Sequence, residues 1–188
     1  PNTPWIPLPT CFGILPVHSS CKETAKLYRS LEASASSPRI NSGAIYGNEP
    51  PAGYIKVTLR HDGENYDWQI LSDELSQHFE CQPQLHTNSN YAVIAVPAQE
   101  TDIRRVLQDL DASVSVMSVG RSIEILKEIG SPQSIVERFS MRSMHGSHAI
   151  GHTRMATESA VTTDGSHPFS TGMDLCLVHN GSLSNHNR

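Results

Sequence analysis

Apolar and polar residues alternate over Tyr54 to Leu59 (YIKVTL), a period of two that predicts a strand. The apolar run Tyr91 to Val96 predicts another strand, and the stretch Asp67 to Phe79 between them is read as a helix. Thr101 to Leu110 (TDIRRVLQDL) has helical spacing, with Thr101 placed to cap it, and Ser113 to Val119 with Arg121 to Lys127 reads as a strand pair. Residues 54–127 therefore have the order of a small α/β unit with an antiparallel sheet, inserted between other elements. No repeat period runs through this block and no cluster of chemically useful side chains lies in it, so it is read as architecture or as a contact to a partner subunit. Upstream, residues 1–10 carry four prolines and are read as an exposed lead-in. A short apolar strand-like stretch follows at Cys11 to Leu15, then a helical pattern at Lys22 to Leu31, a Ser-rich loop from Ala33 to Ser42 and a strand signal at Gly43 to Tyr46.

Composition narrows the picture. A chain of 188 residues is long enough to build a core without disulfide or metal staples. Fourteen Lys and Arg against nineteen Asp and Glu give a net charge of −5, with no concentrated basic stretch, which argues against a nucleic-acid or anionic-membrane partner. The 37% hydrophobic and 18% charged content is that of a chain that folds. No apolar run approaches the roughly 20 residues of a membrane helix, and no basic n-region precedes an apolar one at the start, so the expected location is the cytoplasm. The four cysteines, Cys11, Cys21, Cys81 and Cys176, are scattered without CxxC spacing, which indicates neither a disulfide framework nor a zinc knuckle.

The informative residues gather after Met144, where six of the ten histidines stand. His145, His148 and His152 have the spacing of imidazoles that converge on one helix face, but Gly146 and Gly151 break such a helix and no acid sits at supporting spacing. Histidines that pack or bind backbone are the better reading than a metallohydrolase centre. In Gly151-His152-Thr153-Arg154 a guanidinium ends a short apolar run with Thr157 three residues on, an arrangement able to hold a carboxylate bidentately. In Leu175 to Gly181 (LCLVHNG) an apolar strand ends in Asn180-Gly181. An Asn amide with a Gly N–H supplies the donors of an oxyanion hole, and the same dipeptide is also the favoured tight hairpin turn.

GHTRMAT (Gly151 to Thr157), HPF (His167 to Phe169) and HNGSLSNH (His179 to His186) together resemble the class II, or N-terminal-nucleophile, glutamine amidotransferases. From about Glu124 to Arg188 the chain looks most like the amidotransferase subunit of glutamate-synthase-like and N-methylglutamate synthase systems. The resemblance implies an α/β (α+β) fold, a four-layer αββα sandwich with antiparallel sheets carrying the insert described above. It implies hydrolysis of the glutamine side-chain amide through a cysteinyl intermediate, with ammonia passed to a synthase partner, and no metal or organic cofactor. By the same resemblance Arg154 holds the glutamine α-carboxylate, Thr157 contacts that end of the substrate, and Asn180 with the Gly181 N–H forms the oxyanion hole. Met155 stands where many relatives have an aromatic residue.

The family's nucleophile is a cysteine that begins the mature chain, so that its own α-amine, pKa about 7.7 to 8, takes the proton of the thiol, pKa about 8.5. Cys11, opening the run Thr10-Cys11-Phe12-Gly13-Ile14-Leu15, is the candidate once residues 1–10 are removed as a leader. The bland alternative for Cys11 is a small buried hydrophobe. Phe12 intervenes before Gly13, and Pro38 to Gly43 only faintly echoes the motif expected before the second strand. Cys21 lacks a following strand, and Cys176, inside an apolar run, is read as core. The family's ammonium-binding Asp falls some twenty-five or more residues beyond the Asn-Gly pair, past Arg188, so the chain is read as a partial amidotransferase domain over residues 1–188 that lacks its C-terminal part. A domain of another kind stays open beside it: a catalytically silent sandwich that serves as a subunit-assembly module.

Overall fold

The computed structural model describes residues 12–16, 39–154, 163 and 165–178. In chain order these form β1 (Phe12–Pro16), β2 (Arg39–Tyr46), β3 (Ile55–Arg60), α1 (Trp68–Phe79), β4 (Gln84–Asn88), β5 (Tyr91–Val96), α2 (Glu100–Leu110), β6 (Ser115–Gly120), β7 (Ile123–Gly130), α3 (Pro132–Arg138), a 3₁₀ turn (Met141–Ser143), β8 (His148–Arg154), β9 (Phe169–Gly172) and β10 (Leu175–Leu177). The strands make two four-stranded sheets and a two-stranded one, and every pairing is antiparallel. With three helices among them, the architecture is α+β.

The first sheet to close in sequence is β4-β5-β3-β6. With the chain order β3-α1-β4-β5-α2-β6, this is the split βαβ, or ferredoxin-like, arrangement. The period of two in β3 decides its two faces. Ile55, Val57 and Leu59 are buried with Trp68, Leu71 and Leu75 of α1 and Ile103, Val106 and Leu107 of α2, so both helices cover one face. Lys56 and Thr58 belong to the other face, which is buried as well, against the second sheet. Asp67 caps α1 by accepting a hydrogen bond from the Gln69 N–H at 3.0 Å, and Glu80 ends it in a left-handed conformation. Helix α2 departs from expectation: Thr101 lies inside it, and the capping position is Gln99, whose side chain makes no capping bond. Glu100 and Asp102 in its first turn supply the negative charge that its N-terminal dipole favours.

The second sheet has the order β1-β8-β2-β7. The loop–strand boundary lies earlier than the Ser-rich pattern suggests, since β2 starts at Arg39 and takes Ser42 into its ladder opposite His152 and Lys127. The expected pairing of Ser113–Val119 with Arg121–Lys127 is corrected. β6 pairs with β3 and β7 pairs with β2, so the chain crosses from one sheet to the other at Arg121 and Ser122. Ser118 bridges the crossing, accepting from the Ile125 N–H at 3.2 Å and donating to the Ile123 carbonyl at 3.5 Å. Between the sheets lies a second apolar cluster, in which Ile123 and Ile125 of β7 meet Met117 of β6, Tyr91 of β5 and Phe139 beyond α3. Tyr91 is 1% exposed and its hydroxyl, 2.7 Å from the Lys127 carbonyl and 3.1 Å from the Lys127 N–H, ties β5 to β7 across that cluster.

Among the described residues no helix is long and apolar enough to cross a membrane. The helical pattern at Lys22 to Leu31 lies outside the described residues.

Candidate active site

Two of the three sequence motifs meet on one face of the β1-β8-β2-β7 sheet. His152 of the first motif is buried in β8, and His167 of the second lies across from it, the rings 5.0 Å apart and nearly perpendicular. Phe169 stands edge-on to His167 at 4.8 Å, and the His167–Pro168 peptide bond is cis. The neighbouring strands hold this segment down. Ser42 Oγ of β2 donates to the His167 carbonyl, and Lys127 Nζ of β7 donates to the Ser166 carbonyl at 2.7 Å and sits 5.2 Å from the centre of the Phe169 ring. Ser166 in turn closes on the Thr163 carbonyl at 2.7 Å.

Among the candidates, strand register places Arg154. Arg154 ends β8 opposite Ile40, two positions after His152. Phe12, the first residue of β1, pairs with that same His152, so Cys11 is the residue next before a strand whose start lies beside the end of β8. A row of glycines crosses the three strands here: Gly151 pairs with Gly13 on one side and Gly43 on the other. Glycine in a strand leaves room for close approach of another backbone or a ligand. Cys11, Thr157, Asn180 and Gly181 lie outside the described residues, as does Cys21; β10 ends at Leu177, three residues before Asn180.

The strand that leads to Asn180 is fixed by a residue that sequence reasoning missed. Asp174, in the turn between β9 and β10, has a left-handed backbone with φ of 56°. Its carboxylate accepts from three successive backbone N–H groups of the β6–β7 crossing, Arg121 at 2.9 Å, Ser122 at 2.7 Å and Ile123 at 3.0 Å, and from the Ser122 hydroxyl at 3.0 Å. Its own N–H donates to the Val119 carbonyl at 3.1 Å. Three converging N–H groups form an anion nest. Burial alone raises the Asp174 pKa, but these donors outweigh it and hold the carboxyl below its ordinary range. Gly120 is part of the same lock, because a Cβ there would lie 2.2 Å from Asp174 Oδ1. The signal available in the sequence was Gly172-Met173-Asp174, a turn composition between two short runs, which names a turn and not its docking partner.

Cys176, expected in the core, packs at the margin of the apolar cluster between the sheets. It is half-buried on the inner side of β10, 3.3 Å from the Tyr46 hydroxyl, while its neighbours Leu175 and Leu177 are exposed. Burial pushes the Cys176 thiol up, and the Tyr46 hydrogen bond only partly opposes that. Tyr46 is itself pushed well above its ordinary value, first by burial and then by the thiol beside it. A thiol so placed is a poor nucleophile at neutral pH. Burial raises the Cys81 thiol likewise. Among the described residues no group of three or more His, Cys, Asp or Glu side chains is placed to hold a metal ion.

The framework is antiparallel α+β, with an arginine-bearing strand and a His-Pro-Phe turn docked on it. The chain is 50% identical over 145 residues, 77% of its length, to the glutamine amidotransferase-like protein GlxB of Rhizobium meliloti, of which the match covers 48%. It is 37% identical over 90 residues to a putative glutamine amidotransferase of Methanothermobacter thermautotrophicus, covering 46% of this chain and 30% of that protein. Over 77 residues it is 30% identical to the isomerizing glutamine–fructose-6-phosphate aminotransferase of Idiomarina loihiensis, covering 41% of this chain and 13% of that one. The chain thus spans about half the length of the first relative and smaller shares of the others. No family model matches it and no solved structure matches it. The chain is thus similar to glutamine amidotransferase-like sequences.

Proposed function

We propose that the chain is the glutamine-hydrolysing part of a class II amidotransferase, built as a four-layer N-terminal-nucleophile sandwich, of the glutamate-synthase-like kind. The unit proposed as inserted, residues 54–127, contains the ferredoxin-like sheet with its two helices and runs on into β7 of the other sheet. The register of β8 carries the reading: its last residue is the proposed carboxylate clamp, Arg154, and two positions earlier it pairs with the first residue after the proposed nucleophile, Cys11. Once residues 1–10 are removed, the freed amine of Cys11 takes the thiol proton and the thiolate attacks the glutamine Cδ. Asn180 and the Gly181 N–H hold the oxyanion, and the amine returns the proton to the leaving ammonia. Water then releases glutamate from the thioester. Arg154 binds the α-carboxylate, Thr157 contacts the same end, and the ammonia goes to a synthase subunit. Asp174 supports the site from outside it, by fixing the strand that runs to Asn180.

The test is treatment with a glutamine-mimicking diazo-ketone, followed by intact mass and peptide mapping. The expected product is a single adduct on Cys11 in a chain without residues 1–10. An unmodified Cys11 still joined to Pro1 would overturn the proposal and leave the assembly-module reading.

A further inference from the structure

Where the second sheet crosses the uncovered side of the ferredoxin-like unit, a cavity of about 370 Å³ opens between β4, β5, the loop after β2 and the 3₁₀ turn. Its floor is an ion pair. Lys56 of β3 and Glu124 of β7 are 2.6 Å apart, with 3% and 10% of their side chains exposed. Lys56 Nζ also donates to the Gly47 carbonyl at 2.5 Å and the Asn48 carbonyl at 3.3 Å, so its three hydrogens are all used. Glu124 uses only Oε1, and its Oε2 has no hydrogen-bond partner among the described residues. The second carboxylate, Glu49, stands at the exposed side, 3.5 Å from the Arg121 guanidinium. Val93, Ala95, Met144 and Pro50 supply apolar wall, and the exposed Gln84 and His86 of the edge strand β4 line the opening.

We propose that this cavity binds a small primary amine as its ammonium ion, with the charge on Glu124 and the alkyl stem against Val93, Ala95 and Met144. The sign follows from the inventory of donors and acceptors. A deep anion would find the ammonium of Lys56 already saturated and a carboxylate beside it, whereas a cation finds an acceptor without a donor. The position separates this cavity from the proposed glutamine clamp. Glu124 pairs with Ile45, which pairs with Ala149, and Ala149 is five residues before Arg154 along β8, about 17 Å at strand rise. The proposal does not rest on glutamine chemistry and is read by binding alone.

Calorimetric titration of the 188-residue chain with n-butylammonium chloride tests it, with sodium butyrate as the anion of similar shape. Saturable binding of the amine and none of butyrate is expected. The double variant Lys56→Met/Glu124→Gln, which removes the pair without leaving one charge alone, should weaken amine binding about tenfold or more. Gln84→Trp, an exposed edge-strand change that fills the opening, should abolish it while thermal melting stays unchanged, and keeps the test alive if the double variant does not fold. No saturable heat from the amine, equal binding of butyrate, or undiminished binding to folded Gln84→Trp would overturn the proposal.

Discussion

One carboxylate joins the hairpin β9–β10 to the crossing between the two sheets. Removing it in Asp174→Ala leaves three backbone N–H groups without their acceptor and should lower stability by about 2 kcal/mol, measured by urea denaturation. Because the folded carboxyl is held below the ordinary range, its contribution is complete above the unfolded pKa and disappears as pH falls through the lowered value. Asp174→Asn should therefore shrink the loss of stability that the native chain shows on strong acidification, while Gly120→Ala, with its Cβ against Oδ1, should destabilise at every pH, by about 1 to 3 kcal/mol. The contact proposed for Arg154, a remote one to the glutamine α-carboxylate, would contribute mainly uniform binding, so Arg154→Ala is expected to raise the glutamine KM more than it lowers kcat. A large fall in kcat at unchanged KM in steady-state glutaminase assays would remove Arg154 from that role. The motifs stood out in the sequence because their residue types and spacing are what the proposed chemistry requires. Asp174 did not, because its role depends on N–H groups some fifty positions away in the chain that only the fold brings near.

At the scale of elements, the period of two in β3 and the unbroken apolar run of β5 were enough to define both strands, and Asp67 announced the start of α1. The start of α2 was misjudged by two residues, since Thr101 has the right chemistry for a cap but Glu100 already continues the helix. Placing a capping side chain where the structure needs one should help: Gln99→Asp is expected to stabilise the protein by about 0.5 to 1 kcal/mol, seen as a higher midpoint in thermal unfolding. The β6–β7 pair misled for a different reason. Two adjacent strand-like runs joined by a short turn look like a hairpin, and nothing local says that the second run will find β2 instead. That choice follows from the apolar faces, since Ile123 and Ile125 are buried when β7 lies beside β2 with its side chains against Met117 and Phe139.

For the molecule as a whole, the ion pair between Lys56 and Glu124 links the two sheets, with little of either side chain exposed. Lys56→Met strands a buried carboxylate and is expected to cost about 3 to 5 kcal/mol in equilibrium unfolding, whereas the double change Lys56→Met/Glu124→Leu should cost far less. The amino-acid sequence by itself determined the strands and helices with strong periodicity, the concentration of chemistry after Met144 and the likeness to glutamine amidotransferases, because these depend on residue type and short spacing. Tertiary structure alone decided that β6 and β7 part into different sheets, that His152 meets His167, that Asp174 seats in the β6–β7 crossing and that Glu124 faces Lys56. Each of these is a contact between residues distant in sequence, chosen by which apolar faces can be buried together and which polar groups must then find partners.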